Sequence, residues 1–122
     1  VVRAAEGRGL AVPAVEGFDA PAGRGVTGAV EGRRVAVGNA RLMADLGVDA
    51  APLAAEAERL RGEGATAFFV AADGKPAGIV AVADPVKETA PAALAGLAEE
   101  GVRVVMLTGD NRTTAEAVAE RL

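Results

Sequence analysis

Residues 23–39 read GRGVTGAVEGRRVAVGN, and this stretch decides the fold. In its second half Val35 and Val37 recur at every second position, which is the period of a β-strand. The Glu31-Gly32 step separates this run from residues 27–30, so a tight hairpin is the natural assignment. The whole region around it consists of short apolar stretches broken by Gly and Pro, and we predict antiparallel sheet there.

A second hairpin is predicted further along the chain. Asp73-Gly74 is a strong turn signal, and it lies between two apolar arms, residues 67–72 and 77–82. The second arm is almost wholly apolar, so we expect it to be a central strand. Between the two hairpins, residues 40–46 and 52–61 show apolar positions on one face and end near Gly, which predicts two helices.

After Asp84-Pro85 the pattern changes to helix, strand, helix. Residues 88–99 and the stretch from Thr113 onward carry apolar stripes at helical spacing, whereas residues 102–107 form the near-continuous apolar run of a buried parallel strand. We therefore place a domain boundary at about Asp84. The predicted fold class is α/β (α+β), an antiparallel sheet with flanking helices followed by a partial parallel α/β segment.

Composition excludes several function classes. The 122 residues include no Cys and no His, which removes disulfide, zinc-finger, thiolate-nucleophile and histidine-base chemistry, and any metal would need oxygen ligands. The net charge of −4, without a basic or aromatic cluster, argues against nucleic acid as a partner. No apolar run approaches the roughly 20 residues that cross a bilayer, so we expect a soluble, cytoplasmic chain. It begins without Met, in what reads as the last turns of a helix, and ends inside another, so we expect both ends to be cut.

Residues 23–28 match Gly-x-Gly-x-x-Gly, a pattern that lets a phosphate or an adenine ring approach bare backbone. In the dinucleotide-binding version these glycines lie between a strand and a helix, but here strand-like residues lie on both sides, so that assignment is rejected. The longer match to the protein-kinase loop, ending at Val30, is rejected because no kinase catalytic loop follows. That the glycines merely permit tight turns stays open.

A second candidate site is the turn Thr108-Gly109-Asp110-Asn111, which follows the predicted buried strand and opens a helix. Ligands in α/β sheets bind at this end of a strand, and the Thr hydroxyl, the Gly amide and the first helical amides can donate to a phosphoryl oxygen. A simpler interpretation is that Asp110 or Asn111 caps the helix. The two interpretations are compatible.

Taken together in their order along the chain, the motifs resemble those of P-type ATPases. Residues 105–111 (VMLTGDN) look like the phosphorylation-domain signature of that family, and residues 84–87 (DPVK) look like the hinge between its two cytoplasmic domains. Gly23-x-Gly25 and Val37-Gly38-Asn39 are similar to the small nucleotide domain of the heavy-metal branch. The resemblance covers essentially the whole chain.

The resemblance implies a domain organisation and two sets of site residues. Residues 1–83 would be a nucleotide-binding domain lacking its N-terminal part, and residues 84–122 the hinge and first part of a truncated, haloacid-dehalogenase-like phosphorylation domain. The adenine and sugar pocket would be lined by Gly23, Gly25, Val26, Gly38 and Asn39. The transferred phosphoryl group would meet the catalytic-site residues Thr108, Gly109 and Asp110.

The resemblance also implies what lies elsewhere in the parent protein. The chain lacks the phosphorylated Asp of Asp-Lys-Thr-Gly-Thr, the Gly-Asp-Gly-x-Asn-Asp magnesium site, the downstream Lys and the His-Pro pair that packs on adenine. We therefore expect ATP or ADP to bind without turnover, with Mg²⁺ used only in the full-length parent and no metal ligand in this chain. Replacing Gly25 by Val is expected to abolish binding and leave the fold intact.

The expected parent is an integral membrane ATPase of a bacterial plasma membrane, with this chain in the cytoplasm. Its partners would be the actuator domain, the rest of the phosphorylation domain and the transmembrane helices. Copper or silver export is favoured over zinc, cadmium or cobalt export. The alternatives are a noncatalytic nucleotide-binding or interaction module, because fold does not fix function, and a soluble haloacid-dehalogenase-type phosphatase.

Overall fold

The computed structural model describes residues 1–122 as ten helices and strands arranged around one antiparallel sheet. All five strands belong to that sheet, and they are ordered β1-β2-β3-β4-β5, as in the sequence. The predicted antiparallel sheet with flanking helices is confirmed. The elements are α1 Val2–Glu6, β1 Glu16–Asp19, β2 Gly25–Val30, β3 Arg33–Gly38, α2 Ala40–Asp45, α3 Ala51–Gly62, β4 Thr66–Ala72, β5 Lys75–Val82, α4 Ala90–Glu99 and α5 Arg112–Ala119.

Both predicted hairpin turns are confirmed. Glu31 and Gly32 have φ angles of 51° and 77°, and Asp73 and Gly74 have φ angles of 50° and 76°. Two consecutive residues with positive φ form the two-residue turn whose twist matches that of antiparallel strands. These turns fix the register of β2 with β3 and of β4 with β5.

The core lies on one face of the sheet, beneath α2 and α3. Strand β4 alternates strictly between half-buried and buried residues, so Ala67, Phe69 and Ala71 all point toward the helices. Small residues at two of these positions let α2 and α3 approach the sheet closely. The buried residues of the cluster are Ala36, Leu42, Met43, Val48, Ala57, Ala67, Phe69 and Ala71.

The expectation that residues 77–82 form a central strand is wrong. Strand β5 pairs only with β4 and therefore lies at the edge of the sheet. Its apolar run suggested burial on both faces, but only Ile79 packs against the core cluster, and Val82 is 44 % exposed. Each strand pairs with the next one in the sequence, β3 and β4 across two intervening helices, and this places the last strand at an edge.

The predicted buried parallel strand at residues 102–107 also does not form. These residues pair with no strand, and their apolar side chains are exposed, up to 97 % at Leu107. The physical reason is that a parallel strand needs a parallel neighbour, and every strand pairing in this chain is antiparallel. The helices predicted on either side do form, as α4 and α5.

Helix α5 packs against α3 and against the connection between α3 and β4. The Thr114 hydroxyl, on a residue only 3 % exposed, donates to the carbonyl oxygen of Ala65 at 2.9 Å. The Arg121 guanidinium donates to the carbonyl oxygen of Glu63 at 2.6 Å. The end of the chain is thus attached to the sheet layer, and the domain boundary near Asp84 stays a prediction. None of the helices has both the length and the apolar character needed to cross a bilayer.

Candidate nucleotide site

The five residues predicted to line a nucleotide pocket lie together at one end of the β2–β3 hairpin. Gly25 pairs with Gly38, and Val26 pairs with Val37, in the register of the two strands. The Asn39 side-chain amide donates to the carbonyl oxygen of Gly23 at 2.8 Å. The structure therefore brings these five residues, Gly23, Gly25, Val26, Gly38 and Asn39, into one place, the glycine corner, although its role in binding stays a prediction.

Asn39 holds this corner of the molecule together. Its side-chain oxygen accepts a hydrogen bond from Leu42 N at 3.1 Å, which caps helix α2, and its backbone N–H donates to the carbonyl oxygen of Arg24 at 2.9 Å. An Asn amide has two donor hydrogens and two acceptor lone pairs, so one of each remains. Asn39 thus fixes the loop of residues 23–25, and only part of its hydrogen-bonding capacity is left for a ligand.

Gly25 and Gly38 are required by the packing of the protein itself. A Cβ atom on Gly25 would lie 2.2 Å from the carbonyl oxygen of Val37, and a Cβ atom on Gly38 would lie 2.4 Å from that of Arg24. Gly25 also has a φ of 145°. The expectation that Gly25→Val leaves the fold intact is therefore wrong, because a side chain there collides with backbone before any ligand is considered.

Gly23 has a different environment. Its φ is 68°, and no atom lies within 4 Å of the position where a Cβ would stand. Beside it, Val26 and Val37 lie on the sheet face opposite the helices, since side chains alternate along a strand and Gly25 and Gly38 face Leu42. These two valines line a shallow apolar hollow of about 120 Å³ with Val15 and Phe18. Gly23 does not line this hollow itself but lies three residues before Val26 in the chain.

The Thr108-Gly109-Asp110 turn is anchored to the start of β4. The two carboxylate oxygens of Asp110 accept hydrogen bonds from the hydroxyls of Thr66 and Thr108, each at 2.9 Å. Asp110 N donates in turn to the Thr108 hydroxyl oxygen at 3.1 Å. The helix cap is Asn111, whose side-chain oxygen accepts from Thr113 N at 2.8 Å. The capping interpretation is thus confirmed at Asn111, and Asp110 is left to bind hydroxyl groups.

The two sets of predicted residues lie at the same end of the sheet. Gly38, at the end of β3, pairs with Phe69, which is three positions from Thr66 at the start of β4. With neighbouring strands about 4.8 Å apart and a rise of about 3.4 Å per residue, Gly38 and Thr66 are on the order of 10 Å apart. The chain therefore brings the glycine corner and the Asp110 turn near each other, with β4 joining them.

A larger hollow lies elsewhere, and sequence reasoning missed it. It has a volume of about 510 Å³, lies toward the Asp73-Gly74 turn, and is lined by none of the predicted site residues. Half of its twelve lining residues come from β2 and β3, and they are joined by Leu46 and Val48 after α2. Such residues carry no chemical pattern in a sequence, so no signal could have indicated it.

Sequence reasoning also missed two residues that contact the glycine corner. The Leu42 side chain lies over Gly25 and Gly38, and Asp45 forms an ion pair with Arg24. With Asn39 these residues recur every third position along α2, a spacing that could have indicated them. No group of three or more His, Cys, Asp or Glu side chains lies close enough together to hold a metal ion.

Comparison with known proteins identifies the family. The family model described as haloacid dehalogenase-like hydrolase matches residues 1–122, the entire chain. The chain belongs to the haloacid dehalogenase-like hydrolase family. Among curated relatives of this haloacid dehalogenase-like chain, a copper-exporting P-type ATPase of Legionella pneumophila is 49 % identical and a silver-exporting P-type ATPase of Salmonella typhimurium is 52 % identical, both over 122 residues. The alignments cover 100 % of this chain but only 17 % and 15 % of those relatives.

A solved structure supports the same relationship. A zinc-transporting PIB-type ATPase in its E2·Pi state matches this haloacid dehalogenase-like chain with a TM-score of 0.66 and 32 % identity. The match covers 98 % of this chain and 19 % of that protein. The resemblance to heavy-metal P-type ATPases that the sequence motifs indicated is confirmed.

Proposed function

We propose that this chain is the nucleotide-binding part of a heavy-metal-exporting P-type ATPase, and that ATP or ADP binds at the glycine corner. The observation that carries the proposal is the Asn39 hydrogen bond to Gly23, which holds open backbone at the same end of the hairpin as the Val26–Val37 pair. An adenine ring has a flat apolar face and polar edges, so it suits a site of this kind. In the proposal the adenine and ribose contact Gly23, Gly25, Val26, Gly38 and Asn39.

We assign the terminal phosphate to the side of Thr108, Gly109 and Asp110. These residues lie at the same end of the sheet as the glycine corner, and the Gly109 N–H donates no hydrogen bond within the chain. That N–H can donate to a phosphoryl oxygen, and the Thr108 hydroxyl can do so when it exchanges its hydrogen bond to Asp110 for one to the phosphate. The Asp110 carboxylate orients the hydroxyl groups of Thr66 and Thr108. In this scheme residues 84–122 are the hinge and the beginning of the phosphorylation domain.

The chain by itself is proposed to bind nucleotide without hydrolysing it. Phosphoryl transfer depends on positioning and on neutralising charge, and the sequence contains neither the phosphorylated Asp-Lys-Thr-Gly-Thr segment nor the Gly-Asp-Gly-x-Asn-Asp magnesium segment. Those parts, the actuator domain and the membrane helices belong to the parent protein in this proposal. The names of the relatives favour copper or silver as the exported ion, with this chain on the cytoplasmic side of the membrane.

A nuclear magnetic resonance titration with ATP and with ADP tests the proposal. We expect amide shifts at Gly23, Gly25 and Asn39, with smaller shifts at Gly109 for ATP only. A phosphate-release assay on the same sample is expected to show no turnover. Absence of shifts at the glycine corner would refute nucleotide binding there, and hydrolysis of p-nitrophenyl phosphate would instead support the soluble phosphatase.

A further inference from the structure

We propose that helix α2 holds the Gly23–Gly25 loop in its binding conformation, and that Asp45 is a positioning residue for nucleotide binding through its ion pair with Arg24. This inference rests on the proposed function. Asp45 itself is at the far end of α2 from Asn39 and belongs to none of the motifs that the sequence presents. It acts in this scheme only through Arg24, the residue between the two glycines of the loop.

Three side chains of α2 and its cap contact the loop. Asn39 donates to Gly23, Leu42 lies over Gly25, and the Asp45 carboxylate binds the Arg24 guanidinium. Residues three apart lie on neighbouring turns of one helix face, so these three side chains lie on the same side of α2 and contact the loop together. The loop is thus held at Gly23, at Gly25 and at the residue between them.

Asp45 is unfavourable for the helix that carries it. It is the last residue of α2, where the partial negative charge of the helix end repels a carboxylate. Its ion pair is also exposed, with 41 % of the Arg24 side chain and 52 % of the Asp45 side chain accessible, and exposed pairs contribute little to global stability. Asp45 is thus unfavourable at the end of α2 and contributes little stability through its ion pair, so we explain its presence by its effect on Arg24.

The partner is Arg24, which is held by its side chain and by its backbone, where its N–H donates to the carbonyl oxygen of Pro21 at 3.2 Å. Its carbonyl oxygen accepts from Asn39 N at 2.9 Å, and its side chain is bound by Asp45. With both contacts in place, the guanidinium lies against α2, and the backbone at Gly23 stays open. Without Asp45, the long Arg24 side chain samples many rotamers and the loop loses one of its attachments, so nucleotide must order it on binding.

The test compares Asp45→Asn with a matched control, Asp73→Asn. The Asp73 carboxylate forms a similar exposed ion pair with Arg33, but it does so at the other end of the sheet. Calorimetric titration with ADP is expected to show a Kd about threefold higher for Asp45→Asn, the size expected for an exposed pair. The control and Asp45→Glu, which keeps the charge, are expected to bind as the wild type does.

A double-mutant cycle with Arg24→Gln separates positioning from a general structural effect. If Asp45 acts only through Arg24, adding Asp45→Asn to Arg24→Gln raises the Kd no further. Additive losses, an unchanged Kd for Asp45→Asn, or tighter binding by that variant would each overturn the inference. If the wild-type chain binds no ADP at all, the proposed function fails; if the wild type binds and the variants match it, only the role of Asp45 fails.

Discussion

Gly25 and Gly38 lie opposite each other on β2 and β3, so close that a Cβ on Gly25 would be 2.5 Å from the Gly38 Cα. Leu42 closes the same space from α2, and its side chain would be 2.9 Å from that Cβ. The glycines that mark the predicted nucleotide site therefore also let α2 pack on the sheet. A loss of nucleotide binding in a Gly25 variant would therefore reflect disruption of the fold as well as loss of contacts with the ligand.

The first prediction concerns Gly25→Ala. The added methyl group meets backbone on two sides, so we expect the free energy of unfolding to fall by about 2 kcal/mol or more. Urea denaturation measures this directly. A suitable control is Gly78→Ala on β5, where no atom lies within 4 Å of the new Cβ and φ is not positive. Equal stability of Gly25→Ala and the wild type would contradict the packing seen here.

Gly23→Ala is the cleaner probe of nucleotide binding. Gly23 and Gly32 lie at opposite ends of β2, both have positive φ, and neither has an atom within 4 Å of a new Cβ. Each Ala substitution is therefore expected to cost a similar amount of stability, about 1 kcal/mol. Only Gly23→Ala is expected to weaken ADP binding in a calorimetric titration. Equal affinities of the two variants for ADP would show that Gly23 is not part of the nucleotide site.

Thr114→Val tests the docking of α5. The change is nearly isosteric, but it leaves the buried carbonyl oxygen of Ala65 without its hydrogen bond, which costs about 1–3 kcal/mol. We expect faster amide hydrogen exchange in α5 and lower stability. Thr113→Val is the matched control, because Thr113 is only half-buried and its hydroxyl lies 3.4 Å from Glu58. Unchanged exchange in Thr114→Val would show that α5 is held by other contacts.

The sequence predicted those parts of the fold whose cause is local. Gly32, Asp73 and Gly74 form turns because their residue types accept positive φ, whatever the rest of the chain does. The alternation around Val35 and Val37 likewise reports a strand directly. The glycine corner was predicted through the resemblance to heavy-metal P-type ATPases, and its residues come together because they lie on or beside adjoining strands of a single hairpin.

What the sequence did not predict depends on distant partners. The apolar run of β5 is compatible with a central or an edge strand, and only the order of the sheet distinguishes them. Residues 102–107 have strand composition but no parallel neighbour in this chain. The pairing of Arg24 with Asp45 joins residues 21 positions apart, and the three-residue spacing along α2 indicates the helix face of Asp45 but not its partner.

The last prediction concerns acid stability and rests on Asp73. A hydrogen bond from the Arg33 side chain, assisted by one from Arg34 N, holds the pKa of the Asp73 carboxyl below its ordinary value. Because the pKa is lower in the folded state, the carboxylate contributes stability above the unfolded value of about 3.9, and this contribution is lost as the pH falls through the folded-state pKa. Urea denaturation should therefore show the wild type losing more stability than Asp73→Asn between about pH 5 and pH 2. Arg33→Gln should show a reduced acid dependence too, since it removes the largest cause of the shift. Parallel acid profiles for the wild type and both variants would contradict this assignment and place the acid-sensitive groups elsewhere.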